Sequence, residues 1–214
     1  MVKQERAART RQALVRAAAE AFAEEGFVHA SLGAISKRAG VSNGALYFHF
    51  ANKRMLAEAV EAEAAETLRR ITEAAWAAQG NSLQRVVDAS HELMGVLARD
   101  IVVRSGFELA ADMARRTESP LRRQWRHWVE DALRGAERGG ALAEGMSWRD
   151  GAGVIVAATT GFEVLGGSDA GWLSRQNITR FWEVLLPCLA DRQGLESLVC
   201  AGSRPPGSAL RDLR

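Results

Sequence analysis

Side chains that can contact a nucleic acid are concentrated in one short stretch, "SNGALYFHFANK", at residues 42–53. Tyr47, His49 and Lys53 can each donate a hydrogen bond to a phosphate oxygen. Ser42 precedes them at a position where the first backbone amides of a helix would add further donors. Phosphate contacts of this kind supply affinity and register on DNA, whereas they carry no choice of sequence. The stretch therefore indicates a surface that binds the DNA backbone.

The same stretch contains residues suited to contact the bases. Asn43 can form two hydrogen bonds with adenine, and Phe48 can touch the methyl group of thymine. Gly44 lacks a side chain, so the backbone can approach a partner closely. The alternative interpretation is that the aromatic rings fill the core of a small helical domain. One short helix cannot bury all of its faces in so small a domain, which favours the DNA surface.

The surrounding sequence predicts the helices that would position this stretch. Apolar residues recur at helical spacing, serines stand where helices begin, and glycines stand where they end. The predicted helices cover residues 6–25, 32–38, 43–50 and 52–79. A tight turn at Gly40 joins the second to the third, which predicts a helix-turn-helix whose second helix enters the major groove. Leu46 and Phe50 share one face of that helix and are predicted to pack inward.

Charge and composition agree with a polyanionic partner. Residues 1–60 contain nine Lys or Arg and five acidic side chains, although the whole chain carries a formal charge of only +2. A basic front segment on a nearly neutral remainder favours DNA. No apolar run reaches the ~18 residues of a membrane helix, and the two cysteines lack the spacing of metal ligands. We therefore expect a cytoplasmic protein without a metal site.

Sequence signals of catalysis are missing. There is no GxSxG motif, and "GAG" at residues 151–153 lacks the third glycine and the preceding strand of a dinucleotide site. The histidines are scattered without ligand spacing. We therefore expect neither an enzyme nor a bound cofactor.

The segment "TRQALVRAAAEAFAEEGFVHASLGAISKRAGVSNGALYFHFANKRMLAEAV" resembles the DNA-binding domain of the tetracycline-repressor (TetR) family. The resemblance implies an all-α homodimer with a helix-turn-helix domain at residues 1–52, a linking fourth helix at 52–79, and a ligand-binding and dimerisation domain at 80–200. The last two helices would form the dimer interface. The residues implied to meet the DNA backbone are Ser31, Ser42, Tyr47, His49 and Lys53. Asn43 stands where the family often places its main base-reading side chain, and Gly44 and Phe48 lie beside it.

A narrower resemblance is to the γ-butyrolactone autoregulator receptors of actinomycetes. The segments that carry it are "KQERAARTRQALVRAAAEAFAEEGF", "GVSNGALYFHF", "VVRSGFELAAD", "PLRRQWRHWVEDAL" and "TGFEVLGGSDAGWL". This branch usually has Lys where Asn43 stands, so its operator preference need not transfer. Gly33 is a second departure, because glycine inside a helix costs roughly 1 kcal/mol relative to alanine. Local close packing is the one account of Gly33 that we can offer from the sequence.

The second half of the chain predicts helices at residues 83–98, 100–116, 120–138, 150–165 and 173–191, followed by a disordered tail at 201–214. Trp125 resembles the tryptophan that walls the ligand pocket of the receptor branch, and its indole N–H can donate to a lactone oxygen. Thr159 and Thr160 interrupt an otherwise apolar helix, and either can offer a hydroxyl to the same ligand, with Thr160 the preferred candidate. Further pocket candidates are Val86, Ser90 and Met94. Core packing explains these three equally well, and we assign Trp128 and Trp182 to the core.

These features together predict a ligand-responsive transcriptional repressor. The homodimer would bind a palindromic operator in double-stranded DNA, and a small hydrophobic effector such as a γ-butyrolactone-type autoregulator would release it. The resemblance implies control of secondary metabolism. An alternative stays open at this point: a pseudo-receptor with the same fold that responds to an antibiotic or to another ligand.

Overall fold

Helices account for the regular structure of the described residues, which are 2–114 and 119–203 of the computed structural model. They are α1 (Val2–His29), α2 (Leu32–Arg38), α3 (Asn43–His49), α4 (Lys53–Ala77), α5 (Ser82–Arg99), α6 (Ile101–Ala114), α7 (Pro120–Arg138), α8 (Trp148–Gly166), α9 (Arg175–Leu189) and α10 (Arg192–Leu195), with a 3-10 turn at Ala170–Leu173. The predicted all-α class is confirmed. None of these described helices combines the length and the apolar character that crossing a membrane requires.

Serine caps and a glycine turn set the helix-turn-helix. The Ser31 hydroxyl accepts a hydrogen bond from the amide of Ala34 at 3.2 Å, and the Ser42 hydroxyl accepts one from Ala45 at 3.2 Å. Each bond satisfies an amide that has no partner within its own helix. Gly40 adopts a φ of 68°, which lets the chain turn sharply after α2. The bounds predicted for α2 are confirmed, and α3 ends one residue earlier than predicted.

Two glycines behave differently from their sequence-based interpretation. Gly26 has φ 76° and ψ 158°, so the helical dihedrals of α1 are interrupted where a stop was predicted. The Gly26 carbonyl nevertheless accepts from the amide of Ala30 at 3.2 Å, and one more helical turn follows. At Gly33, an added Cβ would have no atom within 4 Å. The close packing that we expected around Gly33 is therefore wrong.

The described residues form two compact units, and the first is discontinuous in the chain. It contains the residues up to Thr67 together with Asp100–Leu121. Its buried core draws on five helices, and its larger members are Leu14, Val15, Phe22, Ile35, Leu46, Phe50, Leu56, Val60, Val102 and Leu109. Within this unit α6 comes very close to α4, since a Cβ on Gly106 would lie 2.5 Å from the Cβ of Ala64. Helix α6 is therefore part of the same core as the helix-turn-helix.

The second unit contains Leu68–Arg99 and the residues from Arg122 onward. Helix α5 packs against α8 and α9 in its interior. Trp182 of α9 is fully buried there, and its indole N–H donates to the hydroxyl of Ser90 on α5 at 2.8 Å. This bond satisfies the one polar group of a large buried side chain.

The segment that follows α10 is hydrogen-bonded to α5 through three side chains. The amide and hydroxyl of Ser203 donate to Asp88, the Nε2 of His91 donates to the carbonyl of Cys200 at 2.8 Å, and Gln84 exchanges bonds with the backbone at Val199. Ser203 thus has a defined partner, and the amide of Gly202 donates to the carbonyl of Val199 at 2.9 Å, although both residues belong to the tail that was predicted to be disordered. The rest of that tail, residues 204–214, lies outside the described residues.

Candidate DNA interface and effector site

The side chains of α3 divide into an inward and an outward set. Leu46 is fully buried and Phe50 is 3% exposed, so the predicted inward pair is confirmed. Tyr47 is 58% exposed and Phe48 is 80% exposed. Aromatic side chains this exposed contribute little to the packed core, and they give the first unit an apolar contact surface beside polar groups.

Asn43 begins α3 and is exposed, yet its side chain has a defined partner. Its Oδ1 lies 2.5 Å from the hydroxyl of Ser36, which is 4% exposed on α2. The same Ser36 hydroxyl lies 3.0 Å from the carbonyl oxygen of Gly33. The side chain predicted to read bases is therefore linked directly to the other helix of the helix-turn-helix.

Lys53 has a structural role besides any contact with DNA. Its Nζ donates to the carbonyl oxygens of Val28 at 2.9 Å and Ala30 at 2.8 Å, and it lies 4.8 Å from the centre of the Phe27 ring. A positive charge at these carbonyls stabilises the end of α1. An ammonium group has three N–H donors, so one is left for a phosphate oxygen.

The other predicted backbone contacts lie at the edges of the same surface. Ser31 and Ser42 are exposed while they cap their helices. His49 is half-buried and meets the Phe48 ring edge-on, with 5.1 Å between the ring centres. A Cβ on Gly44 would find one neighbour, the Ser42 hydroxyl at 3.9 Å, so the outer side of α3 is open at this position.

Part of the basic excess of the front segment is neutralised locally. Arg38 donates to Glu24 at 2.6 Å, and this hydrogen bond lowers the pKa of the Glu24 carboxyl below its usual value. Arg54 pairs with Glu58 at 3.0 Å within α4. Exposed pairs of this kind contribute little to stability, and they leave the cations available to exchange partners with phosphate oxygens.

Three tryptophans form a cluster in the second unit. Trp125 stacks on Trp128 with 5.3 Å between ring centres, and Trp76 of α4 meets Trp128 edge-on at 6.0 Å. The N–H of Trp125 donates to the hydroxyl of Thr159 at 2.9 Å. The N–H of Trp128 is buried and finds no acceptor among the described residues. The tryptophan predicted to donate to a ligand thus already has a protein partner, while its neighbour has a donor to spare.

The two threonines of α8 face different surroundings. Thr159 is buried, and its hydroxyl donates a hydrogen bond to the carbonyl oxygen of Ile155 at 2.8 Å. Thr160 is half-buried and lines a surface cleft of about 480 Å³ together with Arg126, Trp148 and Val156. Within the second unit, the structure therefore brings Thr159 to the tryptophan cluster and places Thr160 in a surface cleft that neither Trp125 nor Trp128 lines.

The remaining ligand candidates lie on α5 and are buried. Val86 is fully buried, and Met94 is 1% exposed. The Ser90 hydroxyl accepts from Trp182 and donates to the carbonyl of Val87 at 2.8 Å, so its hydrogen-bonding capacity is largely used within the protein. These residues are core of the second unit, and a role beside an effector stays a prediction.

Sequence reasoning gave Ser36 no role, and it assigned Trp128 to the core, where its side chain is indeed 7% exposed, without foreseeing that its N–H would have no acceptor among the described residues. A serine inside a short helix gives no functional signal of its own, because it often bonds its own helix backbone. For Trp128, the available signal was its spacing of three residues from Trp125, which puts both rings on one face of α7.

A capped helix-turn-helix with exposed aromatic side chains, followed by a helical unit with a tryptophan cluster, is the architecture of a DNA-binding transcriptional regulator. Residues 14–60 match the family model of bacterial regulatory proteins of the tetR family. The A-factor receptor protein of Streptomyces griseus is 31% identical over 194 residues, which cover 89% of this chain and 67% of that protein. The chain therefore belongs to the TetR family of transcriptional regulators.

Solved structures agree with this assignment. A gamma-butyrolactone receptor described as an ArpA-like protein superposes with a TM-score of 0.78 at 25% identity, covering 92% of this chain and 96% of the other. CprB from Streptomyces coelicolor, a TetR-family protein solved with its biological operator sequence, has a TM-score of 0.75 at 26% identity, with coverage of 90% and 94%.

Proposed function

We propose that this protein is a homodimeric repressor that binds a palindromic operator and is released by a small effector of the γ-butyrolactone type. For the DNA half, the supporting observation is the outward face of α3, with Phe48 80% exposed beside Tyr47 and Asn43. The kinship with a receptor and with an operator-bound regulator supports the same function.

The effector half rests on the N–H of Trp128, which is buried and has no acceptor within the part of the chain that the structure describes. A buried donor without a partner costs free energy, roughly 1–3 kcal/mol, that a ligand with an acceptor recovers on binding. An indole only donates, so the complementary ligand atom is an acceptor such as a lactone carbonyl oxygen. The stacked Trp125 ring offers an apolar wall to the rest of a small hydrophobic molecule.

Release follows from a shift between two states of the dimer. An effector that binds the DNA-incompetent state more tightly lowers operator affinity by the ratio of its two affinities, about 5- to 150-fold for ordinary coupling energies. Helix α4 is continuous from Lys53 to Ala77, and its residues belong to both compact units. We assign the transmission of the effector signal to this helix.

Dimerisation is proposed to use the last two long helices. Val154, Val164 and Leu165 on α8 are each about half-exposed, and Val184 on α9 is 77% exposed. A two-fold dimer presents two recognition helices about one turn of DNA apart, which fits a palindromic operator.

A mobility-shift experiment tests the function as a whole. Purified protein is mixed with DNA from upstream of its own gene, with and without a γ-butyrolactone. Retention of DNA that the lactone abolishes is the expected result. Retention that ignores the lactone would overturn the effector assignment in favour of a pseudo-receptor, and operator selection from random DNA would decide the DNA half if the upstream region were not bound.

Matched surface variants connect the experiment to α3. Phe48→Ala should abolish retention without loss of stability, because a side chain this exposed contributes little to folding. Val28→Ala truncates another strongly exposed apolar side chain, 78% exposed at the end of α1, and should leave retention unchanged. Equal effects of both substitutions would argue against α3 as the DNA-reading element.

A further inference from the structure

We propose that Ser36 fixes the carboxamide of Asn43 so that its NH₂ group, and not its oxygen, faces the DNA bases, and that the protein consequently selects guanine over adenine at that position. The inference rests on the proposed operator binding and adds the base that one side chain reads. Ser36 is in this sense a positioning residue, because it acts on DNA through Asn43.

The positioning contact joins the two helices of the helix-turn-helix. Ser36 is on α2 and is 4% exposed, whereas Asn43 is the exposed first residue of α3. Their Oγ and Oδ1 atoms lie 2.5 Å apart. A buried hydroxyl on a packed helix therefore holds one end of a side chain whose other end is open to a partner.

The single proton of Ser36 has two possible acceptors. The hydroxyl lies 3.0 Å from the carbonyl of Gly33 and 2.5 Å from the carboxamide of Asn43, and it can donate to one of them. If it donated to Gly33, Asn43 would have to turn its NH₂ group toward Ser36 and present its oxygen to the DNA. If it donates to Asn43, the oxygen stays inside and the NH₂ group faces outward.

The separation of the two atoms favours the second arrangement. O–H···O hydrogen bonds span about 2.5–3.0 Å, whereas N–H···O bonds span about 2.7–3.2 Å. A contact of 2.5 Å fits a hydroxyl that donates to the amide oxygen. The carbonyl of Gly33 does not need the Ser36 proton, since a carbonyl inside a helix accepts the backbone amide four residues later.

An outward NH₂ group changes what Asn43 can recognise. The familiar pairing of asparagine with adenine uses the amide oxygen to accept from N6 and the amide nitrogen to donate to N7. With the oxygen held by Ser36, Asn43 presents donors alone. Guanine offers two acceptors, N7 and O6, on its major-groove edge, whereas adenine places its own N6 donor against the NH₂ group. The expected preference is therefore guanine, by about ten-fold, which is the ratio that 1.4 kcal/mol supplies.

Operator selection from random DNA tests the inference with full-length protein and three variants. Asn43→Ala identifies the position that Asn43 reads, because preference should vanish there alone. Wild type should prefer guanine at that position in each half-site. Ser36→Ala should reduce the preference about ten-fold or turn it toward adenine, because the freed carboxamide can rotate, while Ser36→Thr keeps the hydroxyl and should keep guanine. Thermal unfolding checks that each variant is folded.

The outcomes separate this inference from the proposed function. Enrichment of adenine at the Asn43-dependent position by wild type would overturn it, and so would an unchanged guanine preference in folded Ser36→Ala. The wild-type result decides between guanine and adenine even if Ser36→Ala does not fold. If wild type enriched no sequence at all, the proposed operator binding itself would fall, and this inference with it.

Discussion

Replacing Trp128 by phenylalanine should have two opposing effects on the stability of the protein and should weaken effector binding. The substitution removes the buried N–H that has no acceptor among the described residues, which relieves a cost of about 1–3 kcal/mol. It also removes part of a ring that is 7% exposed and stacked on Trp125, which costs about 1–2 kcal/mol in lost burial. These two contributions oppose each other, so the free energy of unfolding should change by less than about 2 kcal/mol.

In effector binding, by contrast, no second contribution offsets the loss of the Trp128 N–H. The acceptor of the ligand would be buried without a donor in the variant, at a cost of about 1–3 kcal/mol, so the Kd should rise roughly 5- to 150-fold. Calorimetric titration of a γ-butyrolactone measures the Kd, and denaturant unfolding measures stability. Trp148→Phe is the matched control, because Trp148 lines the separate cleft that contains Thr160. If Trp128→Phe bound the lactone as wild type does, while Trp148→Phe bound it more weakly, the effector site would be in that cleft and the reasoning about the unpaired N–H would be refuted.

Three further substitutions or conditions test the fold. Gly33→Ala should raise the free energy of unfolding by about 0.5–1 kcal/mol in denaturant titration, because the new Cβ meets no atom within 4 Å and alanine favours the helix; a loss of stability would contradict this account. Gly106→Ala should lower the free energy of unfolding by about 1–3 kcal/mol, because the new Cβ would lie 2.5 Å from the Cβ of Ala64. Wild-type stability in this variant would argue against so close an approach of α6 to α4. Burial lowers the pKa of His91, so the folded state favours the neutral ring; stability should hold above the unfolded pKa of about 6.5 and fall as the pH drops below it, and His91→Gln should flatten that profile.

The local parts of the fold could be predicted from the sequence because their causes are local. Ser31 and Ser42 cap helices three residues ahead of the amides that they bind, and Gly40 supplies the positive φ between them. The inward pair Leu46 and Phe50 follows from a spacing of four residues on one helix. Each of these features depends on neighbours within a few residues, so pattern alone is sufficient.

The finer parts of the candidate site depend on partners that the sequence keeps apart. Ser36 reaches Asn43 because the turn reverses the chain between them. Neither a serine nor an asparagine at these positions predicts the hydrogen bond. The indole N–H of Trp125 bonds to Thr159, which follows 34 positions later in the chain, whereas the indole N–H of Trp128 has no acceptor among the described residues. The sequence alone does not show this difference. The sequence places Trp125 and Trp128 on one face of α7, and the three-dimensional partners decide which of the two indoles has an N–H without an acceptor among the described residues.

Because the first unit is discontinuous in the chain, recombination between genes of such regulators cannot easily transfer a DNA-binding unit as a whole. Helix α6 contributes Val102 and Leu109 to the core that supports α2 and α3. A single genetic crossover after the recognition helix, or after Thr67, would carry the DNA-reading helices into a new background and leave that part of their support behind. An intact transplant needs three junctions, at residues 67/68, 99/100 and 121/122. We therefore expect operator preference in this protein and its relatives to diverge by point substitutions on α2 and α3 more readily than by recombination of the whole first unit.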